Sequence, residues 1–214
     1  LRFYDTTVFP FAGKSYNNLN VGRKGYGLDF SDTGNKLVVC GDNNQIREIT
    51  NYNTGSPSIN NNAGVGGNSI AQDCQYSPSG LLGVTFSNKV SGTGTGYSVT
   101  YNKACKAIDY SPDNTYAIVG CSDSNGYQVV NGVDQGPLFY TDTGSIDAVA
   151  YAPDGSVFFM GGVSSKVLFF YPNRTLMATF PVDSAITTGR FDTTSSFLLV
   201  GTTGGYAYLF RRDC

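Results

Sequence analysis

The chain has 214 residues, with 14 Lys and Arg against 16 Asp and Glu, 40% hydrophobic residues, and neither His nor Trp. A net charge of −2 leaves no basic footprint for nucleic acid, and no apolar run is long enough to cross a bilayer as a helix. The absence of His excludes the Ser-His-Asp triad, the Cys-His pair and every histidine metal ligand.

In chain order, Leu1-Arg2-Phe3-Tyr4-Asp5 and Thr7-Val8-Phe9-Pro10-Phe11 read as two short strands, followed by an Asn- and Gly-rich stretch over residues 13–25. They align with residues 167–171 and 176–181, so they have the look of the third and fourth strands of a partial unit. A cycle then repeats five times: an aromatic residue, a turn, and an apolar run. Its copies are Phe30-Ser31-Asp32-Thr33-Gly34, Tyr76-Ser77-Pro78-Ser79-Gly80, Tyr110-Ser111-Pro112-Asp113-Asn114, Tyr151-Ala152-Pro153-Asp154-Gly155 and Phe191-Asp192-Thr193-Thr194-Ser195. A spacing near 40 residues fits a unit of about four strands that must stack to bury its faces. In the clearest unit, residues 146–151 alternate as a first strand. Pro153-Asp154-Gly155 makes a turn, residues 157–160 are an uninterrupted apolar second strand, and residues 166–171 and 175–180 follow. The second strand recurs at residues 37–39, 81–84, 117–119 and 197–200, each expected to be covered on both faces. The interval from Tyr76 to Tyr110 is short, which predicts a truncated fourth strand there. Residues 189–192, 197–201 and 206–211 supply three strands of the last unit, and the fourth is missing.

No stretch has the apolar spacing of a long helix. The fold class is therefore all-β, a β-propeller of about five four-stranded blades that forms either a whole ring or part of a larger one. It is a single domain over residues 1–214 with repeats starting near 26, 70, 105, 146 and 186. The Tyr110-Ser111-Pro112-Asp113 turn, the Cys40-Gly41-Asp42-Asn43-Asn44 turn and third strands such as residues 1–5 resemble those of WD-repeat and YVTN-type β-propellers. That resemblance implies a rigid scaffold presenting loops for binding, although the Trp-Asp dipeptide and the Asp-His network of the WD-repeat group are absent from this sequence.

Five cysteines bear on the compartment. A hairpin turning over residues 111–115 places Tyr110 opposite Tyr116 and Cys105 opposite Cys121, at the roughly 4.5–5.5 Å Cβ spacing of facing residues. Two readings follow, a disulfide or a pair of small buried hydrophobes. Cys40 and Cys74, on the second strand of one unit and the first of the next, are candidates for a bridge between units. Cys214 is left over. The low charge (14% of residues, against about 25% on average) and the many hydroxyl and amide side chains favour an extracellular or cell-surface location, with the cytoplasm as the alternative. Beginning at Leu1, the chain is expected to be a processed product or part of a longer polypeptide.

No catalytic, cofactor-binding or metal-binding set is identified. Gly92-Thr93-Gly94-Thr95-Gly96 lacks the Lys of a phosphate loop and reads as a hairpin tip. Asp42-Asn43-Asn44 and Asp123-Ser124-Asn125 carry oxygen ligands, but Asp and Asn are expected in such turns for backbone reasons. Asp29, Asp73, Asp109 and Asp147 recur on first strands, either as polar residues facing a solvated channel or as carboxylates of a lyase or hydrolase. Asn173-Arg174-Thr175 is an N-glycosylation acceptor if the chain is secreted. Leu1, Phe3, Tyr4, Val8, Phe9 and Phe11 are assembly candidates, because the unmatched strand either closes its own ring or pairs with an identical subunit. The expected function is a non-enzymatic scaffold for protein partners, identical subunits among them, possessing no cofactor. The alternatives are a channel-lined enzyme and a fragment of a cytosolic adaptor.

Overall fold

The computed structural model describes residues 25–42, 46–51, 58–61, 70–93, 98–101, 103–138 and 144–212. They form five antiparallel sheets, each built from strands consecutive in sequence. The first holds β1 (Gly25–Phe30), β2 (Lys36–Gly41), β3 (Ile46–Thr50) and β4 (Ser58–Asn61). The second holds β5 (Ala71–Tyr76), β6 (Leu82–Phe86), β7 (Lys89–Gly92) and β8 (Ser98–Thr100). The third holds β9 (Cys105–Tyr110), β10 (Tyr116–Cys121), β11 (Gly126–Val130) and β12 (Val133–Pro137). The fourth holds β13 (Ile146–Tyr151), β14 (Phe158–Gly162), β15 (Lys166–Phe170) and β16 (Leu176–Pro181). The last has three strands, β17 (Ile186–Phe191), β18 (Phe197–Thr202) and β19 (Ala207–Arg211). The expected short fourth strand is β8, with three residues. Residues 1–24, including all the assembly candidates, lie outside the described residues, as do residues 94–97 of the glycine-rich tip.

The repeating turn explains why the chain reverses where it does. Phe30, Tyr76, Tyr110, Tyr151 and Phe191 each end the first strand of their sheet. Four residues after each aromatic the backbone is left-handed, at Gly34 (φ 64°), Gly80 (80°), Asn114 (61°), Gly155 (71°) and Ser195 (61°). Gly and Asn tolerate that region best. The left-handed residue donates its N–H back to the carbonyl of the residue that follows the aromatic, as in Gly34 N to Ser31 O at 2.7 Å and Ser195 N to Asp192 O at 3.1 Å. The side chains of Ser31, Ser77, Ser111 and Asp192 also accept an N–H at the start of the second strand, at 2.8–3.2 Å.

Second strands form the centre of the packing. Those of the second and fourth sheets are buried throughout, and Phe158 stacks on Phe170 with centroids 5.3 Å apart. The last sheet departs from expectation, since Phe197 and Leu199 of β18 are exposed. No described sheet covers that face, so the apolar run there is buried on one side only.

First strands adjoin in sequence order, β1 to β5 to β9 to β13 to β17. Their junctions match in size. A Cβ on Gly120 would sit 2.7 Å from Ile146 Cγ2, and one on Gly161 2.5 Å from Ile186 Cδ1. At the corresponding positions of the first junction, Cys40 stands beside the small Ala71 in one buried cluster. Where the second strand is bare, the next first strand supplies bulk.

The cysteine pairing comes with a corrected register. Tyr110 faces Ala117, not Tyr116, and the ladder is one residue out from the sequence expectation. A bulge at Gly120/Cys121 shifts it back, so that Cys105 faces Cys121 and the two are joined at S–S 2.03 Å.

Candidate functional site

Every first strand carries a bulge at the same place, where pairing skips Tyr26, Gln72, Lys106, Asp147 or Thr187. Bulges re-aim side chains, and these five residues, one from each sheet, line a single polar cavity of about 210 Å³. Lys106 Nζ reaches Asp147 Oδ1 at 2.8 Å and Ser145 Oγ at 3.1 Å, so the two charges in this tier neutralise each other.

A second tier lies one step before the closing aromatics: Asp29, Gln75, Asp109, Ala150 and Arg190. Gln75, Asp109, Ala150 and Arg190 line a cavity of about 220 Å³ together with Tyr110 and Phe191. The Arg190 guanidinium donates to Gln75 Oε1 at 3.1 Å, linking the last sheet to the second.

The carboxylates of these strands join sheets. Asp29 Oδ2 accepts the Tyr76 N–H at 2.7 Å, Asp73 Oδ2 the Ile108 N–H at 3.1 Å, and Asp109 Oδ2 the Tyr151 N–H at 2.8 Å. Asp73 and Asp109 each place Oδ1 2.9 Å from the N–H of the following residue. Gly27 allows the approach, since a Cβ there would lie 2.8 Å from Cys74 N. Burial pushes the Asp73 carboxyl up to about 7 and Asp109 up to about 6, and raises Asp29, while accepted N–H groups and the Arg190 charge pull the other way. A carboxyl near neutrality is also what a general acid needs. Here, however, both oxygens of Asp73 and of Asp109 already hold backbone N–H groups. The two sequence readings of these residues, channel lining and acid-base chemistry, both overlooked this joining role. Asp147 differs from the other three, pairing with Lys106.

Cys40 and Cys74 are buried free thiols. They are hydrogen-bonded to each other, and burial holds the Cys74 thiol well up. The two sheets bring these bridge candidates together as thiols, without a disulfide between them. Asp123 is occupied by Lys103 Nζ (3.1 Å), the Tyr127 hydroxyl (2.5 Å) and Asn125 Nδ2 (3.1 Å). Asn43 and Asn44 lie outside the described residues, and among the described residues no group of three or more His, Cys, Asp or Glu is placed to hold a metal. Asn173 is exposed on the turn between β15 and β16, where its Oδ1 accepts the Thr175 N–H at 3.1 Å. Arg174 beside it, at φ 73°, donates to the carbonyls of Gln135, Gly136 and Pro137 in the third sheet.

Two apolar faces stand at the ends of the series of sheets. Leu28 and Phe30 project from β1 on the side away from the second sheet, at 56% and 47% exposure. Leu199 (53%) and Leu209 (65%) project with Phe197 from the last sheet. Alternation of Leu28-x-Phe30 and Phe197-x-Leu199 was the sequence signal for both. Beside the second face, a groove of about 310 Å³ runs between β16 and β19, lined by Phe169, Met177, Phe180, Leu209, Phe210 and Arg211 among others. Neither a protein-family model nor a curated protein matches this chain.

Proposed function

We propose that the five sheets are blades of a propeller around the axis marked by the two tiers, and that the protein is a non-enzymatic scaffold for protein interaction. The partner we assign is a second copy, the face of β1 on one molecule packing on the face of the last sheet of the next. The observation that carries this reading is the pair of exposed apolar faces, Leu28 and Phe30 at one end and Phe197, Leu199 and Leu209 at the other. Each is the kind of surface that consecutive sheets bury four times within the chain, and a contact between two different faces of identical molecules is head-to-tail and propagates. The engagement of Asp29, Asp73 and Asp109 by backbone N–H groups supports the scaffold over the hydrolase or lyase reading. The Cys105–Cys121 bridge supports an extracellular or cell-surface setting.

Sedimentation of the purified chain over a range of concentrations tests the assignment. We expect concentration-dependent association that Leu28→Glu and Leu199→Glu each reduce without lowering the melting temperature. A mixture of the two variants should form dimers, because each retains one intact face complementary to the other's. A wild-type chain that remains monomeric, or variants that associate as well as it does, would overturn the reading.

A further inference from the structure

We infer that the cavity between the turns of the third and fourth sheets is the docking site of a proline-rich segment of a partner protein, one that carries a Lys or Arg beside its prolines. The cavity holds about 220 Å³ and is lined by Pro112, Tyr116, Tyr151 and Pro172, with the exposed Asp113 and Asp154 at its rim. That is smaller than the roughly 300–1,000 Å³ of sites that enclose a drug-sized ligand. It suits a short piece of a longer chain.

The local cause of the cavity is a missing side chain. At two other junctions the left-handed turn residue reaches back to the preceding turn: Asn114 Oδ1 accepts the Ser79 N–H at 2.8 Å, and Ser195 Oγ the Asp154 N–H at 2.9 Å. Gly155 holds that place in the fourth sheet and has no side chain to reach Asp113, and a Cβ on it would press on Pro112 Cγ at 3.1 Å. Gly80 holds it in the second sheet, but there Lys36 stands where the third sheet has Tyr116.

Two phenols in the cavity hold donors that the fold does not use. Tyr151 is 6% exposed, and its oxygen accepts from Gln128 Nε2 at 3.4 Å, the amide that also holds the Pro172 carbonyl at 3.1 Å. Among the described residues the Tyr151 hydroxyl proton has no acceptor, and Tyr116 bonds through its backbone N–H to Ser111 Oγ (2.9 Å) but not through its hydroxyl. A proline offers a carbonyl and no N–H, and a polyproline II segment makes no hydrogen bonds within itself. Such a segment brings acceptors alone, the complement of these phenols, and its fixed conformation lowers the cost of docking on an aromatic-lined surface. Charge completes the match. The Ser111 hydroxyl and the Thr115 N–H and hydroxyl hold the Asp113 carboxyl below the ordinary carboxylate range. Among the described residues no cation pairs with Asp113, whereas Asp154 is paired with Arg212 at 2.7 Å. A Lys or Arg next to the prolines fills that role. No two of the eight prolines of this sequence are adjacent, so the segment belongs to a different protein, and its site is independent of the contact between copies proposed above.

Fluorescence anisotropy tests the site with the full chain and a labelled peptide of consecutive prolines flanked by lysines. We expect saturable binding that a glycine- and serine-based peptide of the same charge lacks. In the amide spectrum of the unaltered chain, the shifts on adding the peptide should centre on Asp113, Tyr116 and Gly155.

Tyr116→Phe and Tyr151→Phe keep the rings and should each weaken binding about 3–10-fold, the effect of one hydrogen bond. Asp113→Asn should remove the preference for lysine over glutamate flanks. Absence of binding, equal binding of the glycine- and serine-based peptide, shifts centred elsewhere, phenylalanine variants that bind as the parent does, or a flank preference that survives Asp113→Asn would each overturn the inference. The shift map needs no variant, so a variant that fails to fold leaves the site testable. Sedimentation without peptide reads the contact between copies separately.

Discussion

Asp109 and Tyr151 stand 42 residues apart and meet in the interior, the Tyr151 N–H donating to Asp109 Oδ2 at 2.8 Å. The other oxygen takes the Tyr110 N–H at 2.9 Å, so one carboxylate ties the end of its own strand to the end of the next sheet's first strand. Asp29 reaches across to the second sheet in the same way, and Asp73 to the third.

Replacing Asp109 by Asn should therefore destabilise the fold although size is kept. An amide has one acceptor oxygen, and its NH2 would face a backbone donor, leaving one buried N–H unsatisfied at about 1–3 kcal/mol. Denaturant unfolding should show that loss, and amide exchange should quicken at Tyr151 or Tyr110.

Stability should fall as pH rises from about 4 to 7. The Asp73 carboxyl sits at about 7 in the folded chain, raised chiefly by burial from an ordinary value of 3.8. A group raised on folding contributes fully below its unfolded value, and the contribution is lost as pH climbs through the folded one. Urea midpoints across this interval check the slope. Asp73→Asn should flatten it while lowering stability at every pH.

Asn114 separates backbone strain from hydrogen bonding. Its φ is 61° and its Oδ1 accepts the Ser79 N–H of the neighbouring sheet's turn at 2.8 Å. Asn114→Gly removes only the bond, at about 1 kcal/mol. Asn114→Ala should cost roughly 1 kcal/mol more for the left-handed backbone. Thermal or chemical unfolding of the two variants measures the difference.

Gly161→Ala should cost about 1–3 kcal/mol by overpacking, because its Cβ would meet Ile186 Cδ1 at 2.5 Å. Combining it with Ile186→Val, which removes that methyl, should cost less than the two changes summed. A double-mutant cycle in denaturant detects the coupling.

Much of this architecture was legible in the sequence. Gly34, Gly80, Asn114 and Gly155 are the residue types a left-handed turn position selects, and the aromatic residues before them end first strands as their spacing required. Ser195 shows how such a signal fades: it takes the same conformation, and its buried hydroxyl accepts the Asp154 N–H at 2.9 Å. Less could be read of the interior. The partner of Asp109 lies on another sheet, and nothing near position 109 in sequence announces it. The bulges that gather Tyr26, Gln72, Lys106, Asp147 and Thr187 carry no shared residue type. The hairpin count for Cys105 and Cys121 also missed the bulge beside Gly120, and a compensating slip put the two together.

The matched junctions make the order of the sheets part of the information in the chain. Gly120 meets Ile146 and Gly161 meets Ile186, whereas Cys40 is accompanied by Ala71. Exchanging the second sheet for the fourth would bring Ile146 against Cys40 and collide there, while leaving Ala71 too small to fill the space over Gly120. Descendants of a duplicated unit that drift apart in this fashion lose interchangeability, so excision or shuffling of one unit would be penalised at both of its borders even where the unit itself folds well.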